Sequence, residues 1–320
     1  MSQQHDRIDP QSREALEGLL SVLPGGFNAV EDIVERRHTA ATMNAAAVEA
    51  AGGPDQSVTR EDRLVPGLDG DPEVPVRVYR PVGVEGTLPG IFFIHGGGMV
   101  IGSIEGEDAM ATVYSKAAGA VVVSGGYRKA PEHPHPAQSR DTYAGYSWMV
   151  DNAAELGIDP ARIAIVGGSA GGNLALATAL QARDGGRPNP QLVLAAYPML
   201  DHTNTTPASH AITEVGIWDR AANIEAWNWF LGGKDPDKYA SPHLETDWTG
   251  FGPVFIDVGT EDMFRDEDIS LVAEMAKHGV FVEFHLYPGS FHASESIAPE
   301  AELSGRIMAN RIAAVQRALA

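Results

Sequence analysis

The sequence predicts an α/β fold, with a largely parallel sheet and helices on both of its faces. Short apolar segments typical of buried strands recur along the chain, and most are separated by segments with helical periodicity. Such alternation forms βαβ units, which build parallel sheets. The 35 Gly and 21 Pro among 320 residues suit the many tight turns that this fold requires. The predicted strands are residues 63–65, 74–79, 90–94, 120–123, 163–166, 191–196, 254–258 and 282–287.

Residues 1 to about 55 precede the alternation and are predicted to be helical. Ala and Glu are frequent over residues 30–37 and 39–51, and a Gly-Gly-Pro sequence at residues 52–54 then ends the helical pattern. The first two predicted strands flank a turn-rich stretch at residues 67–72. We expect them to form an antiparallel pair at one edge of the sheet.

One segment interrupts the alternation of strands and helices. Residues 201–239 contain Trp218, Trp227, Trp229 and Phe230 but no strand pattern, although predicted strands precede and follow them. We expect this insertion to form a lid that places these aromatic residues over the site. The rest of the chain is interpreted as one domain with accessory helices.

Charge and cysteine content exclude several classes of protein. Lys and Arg number 23 against 43 Asp and Glu, so the formal net charge is −20. No nucleic-acid partner is expected, because proteins bind phosphate backbones chiefly through Lys and Arg. The chain has no Cys, which excludes disulfides and cysteine-ligated metal or iron–sulfur sites.

The sequence shows no pattern for secretion or membrane insertion. The N-terminal MSQQHDRIDPQSREALEGLL lacks the basic region and apolar core of a secretory signal. No segment reaches the ~18 uncharged apolar residues of a transmembrane helix. We therefore expect a cytoplasmic protein with no membrane partner.

A Gly-x-Ser-x-Gly motif is the first candidate for chemistry. The sequence GGSAG at residues 167–171 follows a predicted strand and precedes a helical pattern over residues 169–183. In this strand–turn–helix context the serine acts as a nucleophile, and glycines on both sides permit close backbone approach. The alternative is a glycine-rich turn in which Ser169 only caps the helix.

A second glycine-rich loop precedes the serine motif in the chain. HGGG at residues 95–98 follows the predicted strand 90–94, and its backbone N–H groups can bind a developing oxyanion together with the N–H of Ala170. A dinucleotide-binding loop is the alternative, but that motif requires Gly where Ile101 stands. A phosphate-binding loop also fails, because no Gly-Lys-Ser/Thr occurs.

A nucleophilic serine needs a base, and the base needs an acid that orients it. In parallel sheets such groups lie beyond the carboxyl ends of the strands, in the loops after the last two predicted strands. Asp262 lies early in the first loop, whereas Asp266 directly precedes a helical pattern over residues 267–278 and is interpreted as its N-cap. Asp262 is therefore the predicted acid, with Glu261 as the alternative.

His292 is the predicted base, because it lies in the loop after the last strand. His285 lies within that strand, and His278 lies at a helix end. The resulting order of Ser, Asp and His along the chain is the order that follows a Gly-x-Ser-x-Gly turn. His133 and His135 have the spacing of a metal pair, but no third ligand is evident, and we expect no metal.

Together these motifs resemble those of the hormone-sensitive-lipase-like family of α/β-hydrolase esterases. The resemblance spans roughly residues 60–319, and the combination is far more specific than any single motif. The segments that carry it, in family order, are HGGG at residues 95–98, YRKAPEHP at 127–134, GGSAGGN at 167–173 and TEDMFRDE at 260–267.

The resemblance implies an α/β-hydrolase fold, with an eight-stranded, mostly parallel sheet flanked by helices and covered by a helical cap. Residues 1–58 and about 202–238 are expected to form the cap, and residues 59–320 the catalytic domain. A homodimer through the edge of the last strand is also implied. The implied site residues equal those found above: Ser169, Asp262 and His292 as the triad, and Gly97, Gly98 and Ala170 as oxyanion donors.

Two positions depart from the family pattern. Many relatives carry Asp where this chain has Gly168, so a side-chain bond from that position is absent. Relatives often have an aromatic residue where this chain has Met99, whose flexible thioether would reshape the substrate pocket. We expect Met99 and Trp218 to line that pocket.

The expected reaction is hydrolysis of small esters with short to medium acyl chains through an acyl-enzyme on Ser169, without a cofactor. The partner is then a small-molecule ester. A lactonase or amidase with the same triad is an alternative, because the motifs specify acyl transfer but not the leaving group. A second alternative is a non-catalytic receptor for a small ligand, as in the plant gibberellin receptors, which resemble this family but lack the catalytic histidine. His292 argues against it.

Overall fold

One sheet organises the part of the chain that the computed structural model describes, residues 4–213 and 217–320. Its eight strands lie in the order β1-β2-β4-β3-β5-β6-β7-β8. β2 pairs antiparallel with both β1 and β4, and the remaining pairs are parallel. The strands are β1 (Val58–Val65), β2 (Val74–Pro81), β3 (Leu88–Ile94), β4 (Val121–Gly125), β5 (Ile158–Gly168), β6 (Leu192–Ala196), β7 (Val254–Glu261) and β8 (Val282–Phe291).

The predicted α/β class and the antiparallel edge are therefore confirmed, and each predicted strand lies within or next to an observed one. Ten α-helices accompany the sheet in the described ranges. They are α1 (Pro10–Val22), α2 (Ile33–Ala50), α3 (Asp108–Ala118), α4 (Ala137–Asp151), α5 (Ala170–Asp184), α6 (Pro207–Ala211), α7 (Arg220–Leu231), α8 (Arg265–Lys277), α9 (Ser294–Ile297) and α10 (Glu302–Leu319).

Helices cover both faces of the sheet, because successive strand residues point to opposite sides. In β3, Phe92 and Ile94 belong to a core cluster that includes residues of α4, α5 and α8. Ile91 and Phe93 belong to a second cluster that includes residues of α3 and α10. The central strands are thus buried on both faces, which explains their continuous apolar sequences.

The N-terminal region forms two long helices, each with an acidic cap. Asp9 accepts a hydrogen bond from the backbone of Ser12 at the start of α1, and Asp32 caps α2 in the same manner. The two predicted helical segments 30–37 and 39–51 form the single helix α2. Arg37 of this helix bonds to the carbonyls of Val100 and Ala130, which fixes α2 against the loops that follow β3 and β4.

The predicted insertion contains the helices α6 and α7 and no strand in its described residues. Residues 214–216 fall outside the described residues. Across the described ranges, none of the helices combines the length and apolar character needed to cross a membrane. The division into a cap at residues 1–58 and about 202–238 and a catalytic domain at residues 59–320 stays a prediction.

Candidate active site

Five adjacent strands end at the same edge of the sheet and carry the predicted site residues in the loops that follow. The strands are β3, β5, β6, β7 and β8, which are parallel. This is the edge at which α/β sheets position ligands and catalytic groups. The structure brings Ser169, Asp262, His292 and the 95–98 loop together there.

Ser169 lies on a strained turn between β5 and α5. Its φ of +57° is unfavourable for a residue with a side chain. The flanking glycines are needed for space: a Cβ on Gly167 would lie 2.2 Å from the Gly171 carbonyl oxygen, and one on Gly171 would lie 2.2 Å from the Ile94 oxygen. The turn presents the hydroxyl at the cavity rather than to the helix, since Ser169 makes no side-chain capping bond to α5.

The Ser169 hydroxyl contacts an imidazole that is itself held by a buried carboxylate. His292 Nε2 lies 3.0 Å from Ser169 Oγ, and His292 Nδ1 lies 2.8 Å from Asp262 Oδ2. Asp262 is fully buried, and its other oxygen accepts a hydrogen bond from the Phe264 backbone N–H at 3.0 Å. If Nδ1–H donates to Asp262, Nε2 is left to accept the serine proton.

The other two candidate carboxylates have different partners. Glu261 forms an ion pair with Arg7 at 3.0 Å, which ties the N-terminus to β7. The prediction that Asp266 caps its own helix is wrong, because α8 begins one residue earlier, at Arg265. Asp266 instead accepts a hydrogen bond from the Ala208 N–H at 2.7 Å, in the first turn of α6. It therefore fastens the insertion to the body of the protein.

The glycine loop after β3 has a conformation that only glycine adopts easily. Gly97 and Gly98 have φ values of +105° and +59°, and both line the cavity beside Ser169. Ala170 is the first residue of α5, so its N–H has no acceptor within the helix. That these N–H groups bind the oxyanion stays a prediction.

His95 stabilises the conformation of this loop and is not in position to transfer the serine proton. Its ring stacks on Tyr127 at 4.1 Å, and Nδ1 donates to the Gly96 carbonyl at 2.8 Å. Burial lowers the pKa of His95 to about 3, so the ring is neutral. The Tyr127 hydroxyl donates to the carbonyls of His95 and Gly96 at 3.1 Å, which fixes the loop further.

A cavity of about 300 Å³ adjoins Ser169, Gly98 and His292. Trp218 from the insertion lines it, as predicted, and its ring packs directly on the backbone of Gly98. Met99 is not among the described residues that line the cavity, so that prediction is wrong. Its φ is +65°, and its side chain is fully buried in the core.

The other aromatic residues of the insertion do not line this cavity in the described structure. Trp227 and Phe230 are buried and pack against each other with ring centroids 5.6 Å apart. Trp229 lies beneath the guanidinium of Arg36, which belongs to α2. Trp229 therefore joins the insertion to α2, whereas Phe230 packs against His135, and the expectation that the aromatic residues cover the serine is wrong for all three.

A buried polar network lies behind His292, and sequence reasoning missed it. The Tyr197 ring contacts His292 edge-to-face at 4.8 Å, and its hydroxyl bonds to Glu295. Arg311 bonds to Glu295 at 2.7 Å and holds Asp257 through two bonds of 2.7 and 2.8 Å. Burial opposes ionisation of Glu295, yet the charge of Arg311 lowers its pKa. The network therefore fixes the Tyr197 ring beside the imidazole of His292.

Gly168 fits this network. A Cβ at Gly168 would lie 3.3 Å from the Tyr197 ring, which is a tight contact. Tyr197 thus occupies the space beside residue 168.

The predicted absence of a metal concerns His133 and His135. His135 Nε2 lies 3.1 Å from Asp237, and its ring packs against Phe230. Within residues 4–213 and 217–320 no cluster of three or more His, Cys, Asp or Glu side chains is arranged to hold a metal ion.

Comparisons with known proteins show which family the chain belongs to. A family profile for the alpha/beta hydrolase fold matches residues 91–296. The carboxylesterase NlhH of Mycobacterium tuberculosis is 36% identical over 264 residues, or 81% of this chain and 82% of the relative. An ethyl acetate hydrolase of Pseudomonas putida is 31% identical over 228 residues, or 68% of this chain and 70% of that protein. Among solved structures, a bacterial heroin esterase is 34% identical and superposes with a TM-score of 0.91, covering 99% of both chains. The chain therefore belongs to the hormone-sensitive-lipase-like esterases of the α/β-hydrolase fold.

Proposed function

We propose that this serine carboxylesterase uses Ser169 as nucleophile, His292 as general base and acid, and Asp262 to orient the imidazole. The observation that carries the assignment is the pair of contacts made by His292, at 3.0 Å to Ser169 Oγ and 2.8 Å to Asp262 Oδ2. Both distances lie within the range needed for proton transfer without rearrangement.

In the first half of the reaction, Ser169 Oγ attacks the ester carbonyl while His292 Nε2 takes the serine proton. The oxyanion that forms accepts hydrogen bonds from the N–H groups of Gly97, Gly98 and Ala170. His292 then gives the proton to the leaving alcohol, and Asp262 stabilises the imidazolium throughout. In the second half, His292 takes a proton from water, hydroxide attacks the acyl-enzyme, and the acid leaves as Ser169 regains its proton.

We propose small esters with short to medium acyl chains as the substrates. The cavity volume of about 300 Å³ lies at the lower end of the ~300–1,000 Å³ typical of small-molecule sites. Trp218 closes one side of it. The name of the Pseudomonas relative records a substrate of this size, ethyl acetate.

A series of p-nitrophenyl esters of increasing acyl length tests the proposal. Each buried methylene adds ~0.8 kcal/mol only while the cavity has room, so kcat/KM should rise and then fall, with an optimum between about C4 and C8. Ser169→Ala and His292→Ala should abolish turnover, whereas His278→Ala, at the end of α8, should keep it. An optimum at C12 or longer, or activation by an oil–water interface, would contradict the proposed substrate size.

A parallel panel of lactones and amides decides the leaving group. We expect ester hydrolysis to exceed both; a higher kcat/KM on lactones or amides would make this chain a lactonase or amidase with the same triad. Binding without turnover of any of these compounds would indicate a receptor.

A cytoplasmic location and a homodimer through β8 are further proposals, which rest on the sequence pattern and the family resemblance. Light scattering on the purified protein tests the dimer, with a monomer mass as the contradicting result. Cell fractionation tests the location, and recovery outside the cytoplasmic fraction would contradict it.

A further inference from the structure

Among the described residues that line the catalytic cavity, Glu107 is the one acidic side chain without an evident structural role. It directly precedes α3 and lines the same cavity as Ser169 and His292. It makes no side-chain capping bond to α3, and within the described residues its carboxylate has no hydrogen-bond or ion-pair partner. A carboxylate that neither caps a helix nor pairs with a cation is available to a ligand.

The charges around Glu107 favour a positive group in the cavity. Arg311 is the only Lys or Arg among the described residues that line it, and its guanidinium already bonds to Glu295 and Asp257. The one guanidinium among these residues is therefore already paired with two carboxylates other than Glu107. Burial and the nearby Glu295 raise the pKa of Glu107 to about 7, so a cation bound beside this side chain would favour its carboxylate form.

An aromatic ring adds to this preference. Tyr114 lines the cavity together with Glu107, whereas the ring of Tyr197 already lies beneath the Arg311 guanidinium at 5.0 Å. Aromatic faces attract quaternary and protonated amines through the ring quadrupole, and this attraction strengthens in a desolvated site. A carboxylate in the same cavity as the Tyr114 ring is thus a chemically suitable surface for an ammonium group.

We propose that Glu107 forms a subsite for a cationic group of the substrate, so that the enzyme prefers esters whose acyl or alcohol part carries an ammonium group. This inference rests on the proposed function, because it places the reacting carbonyl at Ser169 while the cationic substituent extends along the cavity to Glu107. Glu107 is then a specificity-determining residue, and it takes no part in proton transfer.

The test compares esters that differ only in charge. The first pair is acetylcholine and its tert-butyl isostere, 3,3-dimethylbutyl acetate, in which carbon replaces the quaternary nitrogen. The second pair, with the charge in the acyl part, is the ethyl ester of γ-trimethylammoniobutyrate and its tert-butyl isostere. Acid release in a pH-stat gives kcat/KM for each member, and the ratio within a pair cancels any loss of folded enzyme. Glu107→Gln is the test variant, and Glu105→Gln is the control, because the Glu105 carboxylate lies on the surface and bonds to Arg77.

We expect the wild type to prefer the cationic member of at least one pair by about tenfold, and Glu107→Gln to reduce that ratio to within about threefold of unity. Glu105→Gln should keep the wild-type ratio. Wild-type ratios near unity in both pairs, or a Glu107→Gln ratio equal to the wild-type value, would overturn the subsite.

A second measurement needs no variant. Tetramethylammonium should inhibit wild-type hydrolysis of p-nitrophenyl acetate competitively, and absence of inhibition would count against the subsite. The proposed function is tested separately by the same substrate. If the wild type does not hydrolyse p-nitrophenyl acetate the function fails, whereas hydrolysis with unaltered ratios refutes the subsite alone.

Discussion

Gly98→Ala tests whether the contact between the glycine loop and Trp218 sets the geometry of the oxyanion donors. Gly98 has a φ of +59°, and a Cβ there would lie 2.2 Å from Cη2 of the Trp218 ring. This ring is buried and cannot move aside freely, since its N–H donates to Asn223 at 3.0 Å. The added methyl group must therefore displace either the indole or the loop.

Gly119→Ala is a matched control for the backbone strain. Gly119 has a φ of +58°, but nothing lies within 4 Å of its added Cβ. Left-handed backbone costs a residue with a side chain ~1–2 kcal/mol, so both variants should lose about that much free energy of unfolding. The clash should cost Gly98→Ala a further ~1–3 kcal/mol.

Activity should separate the two variants more clearly than stability. Displacing an oxyanion donor costs on the order of 10²–10³ in kcat, so we expect kcat/KM of Gly98→Ala on p-nitrophenyl butyrate to fall about 10²-fold or more. Gly119→Ala should remain within about twofold of the wild type. In a Trp218→Ala background, Gly98→Ala should cost less than about tenfold, because the clash is gone. Equal activity losses in the two backgrounds, or a wild-type rate for Gly98→Ala, would refute the reasoning.

Three further predictions concern carboxylates and their partners. Asp262→Asn should lower kcat by on the order of 10³–10⁴, because it favours the wrong histidine tautomer. The kcat of Asp266→Asn should stay within about threefold of the wild-type value, because the amide oxygen still accepts from the Ala208 N–H; the converse pattern in steady-state kinetics would contradict the assignment. Arg311→Met should lower the free energy of unfolding by ~3–5 kcal/mol, because it leaves two buried carboxylates unpaired. Arg317→Met removes an exposed ion pair on the same helix and should cost less than ~1 kcal/mol; similar losses in denaturant titrations would show that the network is not structural. Burial raises the pKa of the Glu107 carboxyl from its ordinary 4.5 to about 7, so the ionisation of this group destabilises the folded state as pH rises between these values. The free energy of unfolding of Glu107→Gln should therefore exceed that of the wild type by ~1–3 kcal/mol at pH 8 but not at pH 4, and a difference that is constant with pH would be the contrary result.

Much of the fold was predictable because the strands are short, apolar and separated by turns. β3 is buried along its whole length and β5 is buried over residues 163–167, so these segments carry an unbroken apolar signal. The relative positions of Ser169, Asp262 and His292 also followed from the sequence, since each lies just beyond a strand and parallel strands end at one edge.

The failures involve contacts between distant segments. Asp266 precedes a helical pattern, but its partner is the Ala208 N–H, 58 residues away in the insertion. Met99 follows the glycines of the loop, yet its positive φ directs the side chain to the core instead of the cavity. No local pattern distinguishes these arrangements from the ones that we predicted.

The network behind His292 shows the same limit. Arg311 bonds to Asp257, which is 54 residues away, and the two meet only because α10 packs against the sheet. In the sequence, only Arg311 itself indicates such a network. It is a charged residue within the amphipathic pattern of α10, and Ile307 and Val315 on the same face are buried. A charge at a predicted buried position requires a partner, and that partner was an acidic residue on a central strand.

The central claim is that Ser169 is the nucleophile of an ester hydrolase, and covalent labelling tests it most directly. The wild type, Ser169→Ala and Asp266→Asn proteins are treated with a p-nitrophenyl alkylphosphonate, and the adduct is located by peptide mass spectrometry. We predict one adduct per chain on Ser169 in the wild type and in Asp266→Asn, with release of one equivalent of p-nitrophenol and loss of esterase activity, and no adduct in Ser169→Ala. An adduct on another residue, or labelling of Ser169→Ala at the wild-type rate, would contradict the claim.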